Sequence, residues 1–383
     1  MLKTKRINIA QVGSILLVAL LIGILFFAGL TAASTLPIAD LAQYWAGAHL
    51  ISTNPYSQNL YLQFDRSQGV VTDGPPMVMR NPPPALLLVL PLRFMNYRAA
   101  FAFWDLLSIV ILAACGRLAY GLVNSEPSLM PVALSLLFGP SIALLTLGQI
   151  AIFALLGISL FLFLIERRKD MWAGAALSLT IVKPHIALLF LVVVVLWSIR
   201  NRRWSVLLGT ASTLTISTGA VAMINPHSLA QYAAFAAEFS KENAPYPNLG
   251  GLLYVLSGNH ALAYLPQATG VIWLAFYWNR HREPWDWKTD GMYVLLVSLV
   301  CCYYSFPFDQ IIILPALMIA LGKGNRPLLY SGLVITNLAY IFYISGFIGH
   351  LGYGPMFLWW TALGWLATFM LAQIGSLAPF EAK

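Results

Sequence analysis

The chain has 383 residues, of which 59% are hydrophobic and only 9% are charged, and its mean hydropathy is +0.76. Soluble domains carry about a quarter charged residues, so this composition excludes an ordinary soluble protein and indicates an integral membrane protein. The net charge of +8 does not indicate nucleic-acid binding, because the basic residues form short clusters between apolar runs, as in cytoplasmic loops. The clusters are Lys3-Lys5-Arg6, Arg167-Arg168-Lys169, Arg200-Arg202-Arg203, Arg280-Arg282 and Lys323-Arg326.

The apolar runs between these clusters predict the topology. The first run, at about residues 9–31, is predicted to be a retained signal-anchor helix that delivers an extracytoplasmic loop at residues 34–81. The stretch 171–199 lies between two inner clusters, so we predict a hairpin with "IVKPH" at its outer tip. Six later runs alternate across the membrane, at 204–224, 260–279, 290–304, 310–322, 327–346 and 356–377.

Four further runs lie between the outer loop and the inner cluster at Arg167, namely 84–95, 99–121, 130–147 and 150–165. An odd number of them must cross, so one is predicted to be short or re-entrant. We therefore predict an all-α integral membrane protein with ten to twelve transmembrane helices. It forms a single polytopic domain over residues 1–383, and we expect it in the bacterial inner membrane.

Proline precedes a short apolar run in "NPPPALLLVLPL", "IVKPHIALLFL" and "SFPFDQIIILPAL". Proline cannot continue a helix from upstream but starts one well. Broken helices at membrane depth are tolerated where they line a cavity, and ordinary spans that begin at interfacial prolines are the alternative.

Asp40 is the first acidic residue, and it stands where the first membrane helix would have ended. With Gln43 it could make a capping-box-like helix start, in which the carboxylate only accepts amide hydrogen bonds. Alternatively, "DLAQYWAGAHLI" is an amphipathic interfacial helix with Tyr44 on the same face as Asp40. A carboxylate at the mouth of a membrane cavity is a candidate general base.

Lys183 and His185 lie at the predicted hairpin tip. A lysine within an apolar hairpin is costly and usually faces a cavity or a partner, and near a helix start it would suit an anionic phosphate. A lysine that extends its ammonium to the membrane interface is the alternative reading.

The remaining candidates lie elsewhere along the chain. Arg66 and Arg80 carry positive charge in the outer loop and either hold an anionic head group or are solvated. Asp309 lies at an outer helix end and could be a helix cap, and Asp105 fits a buried structural carboxylate. His350 lies in the outer loop "GHLGYGPM".

No metal or disulfide framework is predicted. The cysteines Cys115, Cys301 and Cys302 have no ligand spacing, and the outer loop has no DxD pair. No cofactor is expected, and a divalent metal is left as an alternative.

Five segments, taken in order, resemble glycosyltransferase family 87 of the GT-C superfamily, which includes mannosyltransferases that use polyprenol-phosphate mannose. They cover most of residues 35–255, and later only "SFPFDQIIILPAL" matches beyond hydropathy. The segments are "DLAQYWAGAHLISTNPY", "NPPPALLLVLPL", "LTLGQIAIFALLGISLFLF", "WAGAALSLTIVKPHIALLFLVVVVLWSIRNRRW" and "NPHSLAQYAAFAAEFSKENAPYPNLGGLL".

The resemblance implies a GT-C-like bundle with interfacial helices in the first extracytoplasmic loop. GT-C enzymes carry an essential acidic residue in that loop, which maps onto Asp40, and the family's "KP" lysine maps onto Lys183. Many members have a second nearby acidic residue, but here the neighbours are Ala39, Leu41 and Ala42. The resemblance therefore does not carry over a carboxylate pair.

The implied activity is that of an inverting hexosyltransferase that uses a polyprenyl-phosphate sugar, most often mannose, and acts on a lipid or glycan acceptor on the extracytoplasmic side. Asp40 would be the base; the donor phosphate would meet Lys183, His185, Arg80 and Arg66; the sugar or acceptor would meet Tyr44, Trp45, Tyr56, Asp309 and His350. The alternatives are a secondary transporter or flippase, which broken helices also suit, and a non-catalytic assembly subunit.

Overall fold

The computed structural model describes residues 40–68, 76–239, 246–323, 326–344 and 355–377. The predicted signal anchor at 9–31, His350 and parts of the 34–81 loop lie outside these residues. Within them, all regular structure is helical and no strand is present. The α-helices are α1 Leu41–His49, α2 Gln58–Ser67, α3 Leu86–Val89, α4 Tyr97–Tyr120, α5 Met130–Leu137, α6 Gly139–Leu147, α7 Ala151–Ile165, α8 Asp170–Leu177, α9 Leu188–Arg200, α10 Trp204–Ile224, α11 Ser228–Phe239, α12 Leu249–Ser257, α13 His260–Ala263, α14 Leu265–His281, α15 Asp290–Val300, α16 Leu314–Lys323, α17 Arg326–Ile344 and α18 Thr361–Leu377. The 3-10 helices are Pro83–Ala85, Leu90–Phe94, Ser178–Val182, Pro184–Ala187, Pro307–Ile313 and Pro355–Leu358.

Three of the described helices are long and apolar enough to cross a membrane: Tyr97–Tyr120, Trp204–Ile224 and Met356–Gln373. They coincide with the runs predicted at 99–121, 204–224 and 356–377, which supports a helical membrane protein. Among the described residues, the bent pair at 130–147 could count as a fourth span, and the run at 9–31 lies outside them. The total of ten to twelve spans therefore stays a prediction.

The run predicted at 84–95 is a short element, Pro83–Phe94, in which a single α-helical turn separates two 3-10 helices. Prolines at both 3-10 helices remove backbone donors that a continuous α-helix would use. It is one of two elements among the four runs that fit the predicted short or re-entrant segment; the other is the bent run at 130–147.

The run at 130–147 is broken into α5 and α6, which meet at an angle of 60°. Phe138 is extended at the break, and Pro140 follows it without a donor N–H. Asn337 of α17 satisfies the interrupted backbone: its side chain accepts from Gly139 N at 2.8 Å and donates to Leu137 O at 2.7 Å. Broken helices are tolerated at membrane depth when the freed backbone groups find hydrogen-bond partners within the protein, as they do here.

One end of the bundle gathers several basic side chains of the described clusters and their acidic or hydroxyl partners. Lys288 Nζ lies 3.0 Å from Glu166 Oε2, and Arg203 pairs with Asp170. Lys323 Nζ donates to Thr289 Oγ1 at 2.8 Å. We call this the paired end, and it joins the segments that the sequence placed on one side of the membrane.

The opposite end holds the first loop and the hairpin tip, and we call it the cavity end. Helices α1 and α2 lie in the first loop and are tied together by Tyr61, whose hydroxyl donates to Gln43 O at 2.9 Å. The Asn81 amide donates to Val182 O at 2.6 Å and so joins this loop to the hairpin tip.

Candidate active site

The cavity end contains a cavity of about 550 Å³. This volume is in the range of small-molecule sites, and the walls come from chain segments far apart in sequence. The lining residues are Asp40, Gln43, Tyr44, Met77, Val78, Arg80, Asn81, Pro82, Gln149, Val182, Lys183, Pro184, His185, Tyr232, Phe239, Tyr246, Tyr303, Tyr304, Phe306 and Phe308.

All three of the proline segments contribute to this cavity. Pro82, Pro184 and Phe306 line it, and 3-10 helices begin at Pro83, Pro184 and Pro307. The structure therefore agrees with the reading of these segments as broken helices around a cavity.

Asp40 stands at the start of α1, but its carboxylate makes no hydrogen bond to the helix backbone. Its oxygens instead accept hydrogen bonds from two side-chain amides. Gln43 Nε2 donates to Oδ1 at 3.4 Å, and Gln149 Nε2 donates to Oδ2. The capping-box reading is thus not what the structure shows. The carboxylate is held by side chains and lines the cavity.

Gln149 was missed by sequence reasoning. Its amide donates to Asp40, and its carbonyl oxygen accepts from the Tyr44 hydroxyl at 3.1 Å, so one side chain fixes both residues. Gly148 positions it by ending α6 in the left-handed region, with φ of 65°. A Cβ on Gly148 would lie 2.8 Å from Leu41 Cβ, so the glycine also allows α6 to approach α1.

Burial raises the pKa of the Asp40 carboxyl above its ordinary value of 3.8, and the Gln149 hydrogen bond and the positive charge of Lys183 oppose that rise. The charge on Asp309 raises the pKa further, and that on Arg80 lowers it. A carboxylate with a raised pKa is a better proton acceptor while it is still ionised at neutral pH.

Lys183 lies between two 3-10 helices, and Pro184 directly after it keeps its backbone extended, with φ of −149°. Its ammonium donates to Asp309 Oδ1 at 2.6 Å and lies 4.6 Å from the centre of the Phe308 ring. The pair is buried, with side-chain exposures of 9% and 0%.

Asp309 does not line the cavity. Its second oxygen, Oδ2, accepts from Phe306 N at 2.9 Å and so caps the 3-10 helix Pro307–Ile313. Asp309 is therefore a helix cap, which is one of the two sequence readings, and not a cavity-lining residue as the sugar-binding or acceptor-binding reading expected. Its role as counter-ion of Lys183 was missed by sequence reasoning.

His185 and Arg80 bring further nitrogen donors to the cavity. The His185 ring packs edge-on against Tyr304, and its buried Nε2 has no hydrogen-bond partner among the described residues. Arg80 donates to the Tyr304 hydroxyl at 3.4 Å, and its guanidinium lies 4.3 Å from the Phe239 ring centre. Lys183 and Arg80 make one wall of the cavity cationic, and His185 adds an imidazole that burial keeps neutral.

Three further predicted binding residues, like Asp309, lie away from the lining. The Trp45 indole donates to Met95 O at 2.8 Å and packs against Phe64. Tyr56 lies behind the lining, because its ring packs against that of Tyr232, which lines the cavity, at 5.3 Å between ring centres. Arg66 is exposed in the last turn of α2.

Sequence reasoning also missed the aromatic wall, which is formed by Tyr246, Tyr303, Tyr304, Phe306 and Phe308. Asn248 holds this wall in place: its amide donates to Cys302 O at 3.2 Å and Tyr303 O at 3.0 Å, while its oxygen caps α12. The sequence carries one signal for this anchor, because "PNLGG" in the late loop places Asn248 at the cap position directly before α12.

Among the described residues, no group of three or more His, Cys, Asp and Glu side chains could hold a metal ion. The cavity thus presents one carboxylate, three basic side chains and an aromatic wall. This arrangement can accept a proton and bind an anion within one space.

The fold and this cavity define an all-helical membrane protein with acid–base and anion-binding groups at one end. The family model of glycosyltransferase family 87 matches residues 80–305, more than half of the chain. The chain therefore belongs to glycosyltransferase family 87, a membership consistent with the GT-C superfamily, and it is a membrane glycosyltransferase. No curated protein and no solved structure matched it.

The matched segment contains Gln149, Lys183 and His185, and of the aromatic wall it contains Tyr246, Tyr303 and Tyr304. It begins at Arg80, so Asp40 lies outside it and is connected to the matched part through its contact with Gln149.

Proposed function

We propose that the protein is an inverting glycosyltransferase that moves a hexose, expected to be mannose, from a polyprenyl-phosphate-linked donor to a lipid or glycan acceptor. One observation carries the proposal: the Asp40 carboxylate and the basic side chains of Lys183 and Arg80 line the same cavity. Sugar transfer from a phosphate donor needs both a base and an anion site.

The charge distribution supports a cavity on the extracytoplasmic side. The paired end carries the basic clusters around Arg167, Arg200 and Arg280, and such clusters favour the cytoplasm. Nucleotide sugars are made in the cytoplasm, so an enzyme that works on the far side needs a donor that arrives within the membrane. A polyprenyl-phosphate sugar meets that need.

In the proposed reaction, an acceptor hydroxyl attacks the anomeric carbon of the donor. The new glycosidic bond forms as the bond from that carbon to the phosphate oxygen breaks, which inverts the configuration. Asp40 takes the proton of the attacking hydroxyl, a contribution of about 10²–10⁴-fold in rate. Gln149 holds the carboxylate in place, and burial keeps its basicity high.

The leaving polyprenyl phosphate gains negative charge. Lys183, Arg80 and His185 are the basic cavity residues that would stabilise it, which is electrostatic stabilisation where charge develops. The aromatic wall would stack on sugar faces, with Tyr304 placed between Arg80 and His185.

Transfer of radiolabelled sugar in proteoliposomes tests this function. Wild-type protein supplied with a polyprenyl-phosphate hexose and membrane acceptors should form a labelled product that is resistant to mild acid, unlike the donor. Asp40→Asn should be made and folded normally and should lose transfer by about 10²-fold or more, because the amide cannot accept the proton.

Asp65→Asn is the matched control, since Asp65 lies in the same loop but does not line the cavity. Transfer by Asp40→Asn at the wild-type rate would remove the proposed base. Vectorial uptake of the labelled sugar without any covalent product would instead favour a transporter.

A further inference from the structure

Two loops lie against each other at the paired end of the bundle. The loop after α7 leads into α8 at Asp170, and the loop after α9 leads into α10 at Trp204. The Arg203 guanidinium donates to both carboxylate oxygens of Asp170 and so joins the loops. Further along the two helices, the Thr210 hydroxyl donates to Gly174 O at 2.9 Å. The starts of α8 and α10 are therefore held side by side.

Both loops turn in the same way, with an arginine at the position where helix ends usually have glycine. Arg168 and Arg202 each have a φ of 55°, which lies in the left-handed region. In each loop, the residue after the arginine donates its N–H to the carbonyl five residues before it, at 3.0 Å and 2.8 Å. This is the hydrogen bond of the Schellman motif, for which glycine is the unstrained residue. The chain thus keeps a guanidinium at two equivalent places in spite of backbone strain.

The acidic side chains near these loops already have basic partners. They are Asp170, Glu166 and Glu283, which pair with Arg203, Lys288 and Arg200. Arg168, Lys169 and Arg202 are exposed, and the described part of the chain provides no partner for their side chains. The starts of α8 and α10 also have no side-chain cap, which adds the positive ends of two helix dipoles. Together these groups favour an anion from outside the chain.

The cations lie next to exposed apolar side chains. Trp172 and Trp204 belong to the first turns of α8 and α10, and they are 69% and 55% exposed. Leu208 follows one turn after Trp204 and is 60% exposed, and only 11% of the span of α10 is buried inside the protein. Tryptophan is enriched where a membrane meets water, so this surface suits a ligand with an anionic head and an apolar body.

We propose that Arg168, Lys169, Arg202, Trp172 and Trp204 form a binding site for an anionic phospholipid. We call these five residues the lipid patch. The cations bind the head-group phosphate, since arginine can hold a phosphate by two parallel hydrogen bonds and cations near a membrane surface attract anionic lipids. The acyl chains lie along the exposed side of α10. A soluble anion or a nucleic acid would gain nothing from the exposed indoles and the lipid-facing helix.

The double variant Arg168→Gly with Arg202→Gly separates lipid binding from a structural role. Its thermal unfolding temperature in phosphatidylcholine should stay at or above that of wild type, because glycine adopts a φ of 55° without steric strain. Titration with phosphatidylglycerol, followed by native mass spectrometry, should show weaker binding. We expect Kd to rise about 30-fold, equal to about 2 kcal/mol for two cations.

Arg93→Gln with Arg98→Gln is the matched control. It removes two exposed cations, and so makes the same change in net charge, near Met95 at the cavity end. Its Kd for phosphatidylglycerol should equal that of wild type. Equal weakening in both double variants would mean that only net charge matters and would overturn the proposal. Unchanged binding in the double-glycine variant would overturn it as well.

A labelling experiment on the wild-type protein covers the case in which the double-glycine variant does not fold. Protein in phosphatidylcholine vesicles is irradiated with a small amount of phosphatidylglycerol that carries a diazirine on its head group. We expect labelled peptides from 166–172 and 200–208, with labelling reduced by added phosphatidylglycerol and not by inorganic phosphate. Labelling spread evenly over other segments would overturn the proposal, and equal competition by inorganic phosphate would overturn the choice of a lipid. None of these measurements depends on sugar transfer.

Discussion

The two ends of the bundle use charge in different ways. At the paired end, Arg200 and Glu283 form an ion pair whose side chains are 37% and 71% exposed. At the cavity end, Lys183 and Asp309 form a pair whose side chains are 9% and 0% exposed. Exposed pairs contribute little to stability, whereas a buried pair makes each partner costly to remove.

The exposed charges of the paired end determine the orientation of the chain in the membrane, whereas the buried pair of the cavity end belongs to the candidate active site. Many solvated cations at the paired end suffice to set orientation, and no single one of them is essential to that role. At the cavity end, one buried lysine has to be kept both charged and in position, and Asp309 does this while it caps the 3-10 helix beside the aromatic wall. The comparison predicts large effects of single substitutions at one end and small effects at the other.

The largest effect is expected for Asp309→Asn. It leaves the Lys183 ammonium buried without its counter-ion, which should lower the free energy of unfolding by about 3 kcal/mol or more. Thermal unfolding in detergent and donor KM are the measurements. The double variant Lys183→Met with Asp309→Asn removes both charges, so it should recover most of the stability while donor use stays impaired.

If Asp309→Asn were about as stable as wild type, the buried pair would contribute no more to stability than the exposed pairs. That result would contradict the predicted difference between the two ends. Full donor use by the double variant would place Lys183 outside the phosphate site.

A smaller effect is expected for Gln149→Ala, which removes the amide that donates to Asp40. That hydrogen bond stabilises the ionised carboxylate, so its loss raises the pKa of Asp40 further above 3.8. Since the base acts in its ionised form, the acid limb of kcat/KM should move to higher pH. At neutral pH we expect kcat to fall about tenfold, with donor KM little changed.

The pH profile of Gln149→Glu, compared with that of Gln149→Ala, tests whether Gln149 acts through the pKa of Asp40. A second carboxylate beside Asp40 would raise the pKa of Asp40 by like-charge repulsion, so the acid limb should move in the same direction. An acid limb that stays in place in both variants would mean that Gln149 does not act through Asp40.

The sequence predicted what depends on local pattern. The basic clusters predicted which segments share one end, and the prolines predicted breaks that the structure has at Pro83, Pro184 and Pro307. Asp40 was found from its position after the first apolar run. These features lie in composition and spacing along the chain, so one sequence suffices to find them.

Contacts between distant segments could not be predicted in this way. Lys183 and Asp309 are 126 residues apart, and Gln149 is 109 residues from Asp40. Trp45 was predicted with Tyr44 because both follow Asp40, but adjacent residues on a helix point about 100° apart. Tyr44 therefore lines the cavity, while Trp45 packs against Phe64.

The smallest effect is expected at the paired end, for Glu166→Gln. Lys288 and Glu166 are 27% and 35% exposed, so water and salt replace most of their attraction, and the free energy of unfolding should fall by only about 0.5 kcal/mol. Transfer activity should equal that of wild type, because the pair lies at the end opposite the cavity. Thermal unfolding at low and high salt checks this, since the small difference should shrink further as salt is added. A loss as large as that of Asp309→Asn would mean that burial does not distinguish the two ends, and the role of the Lys183 pair would then need another explanation.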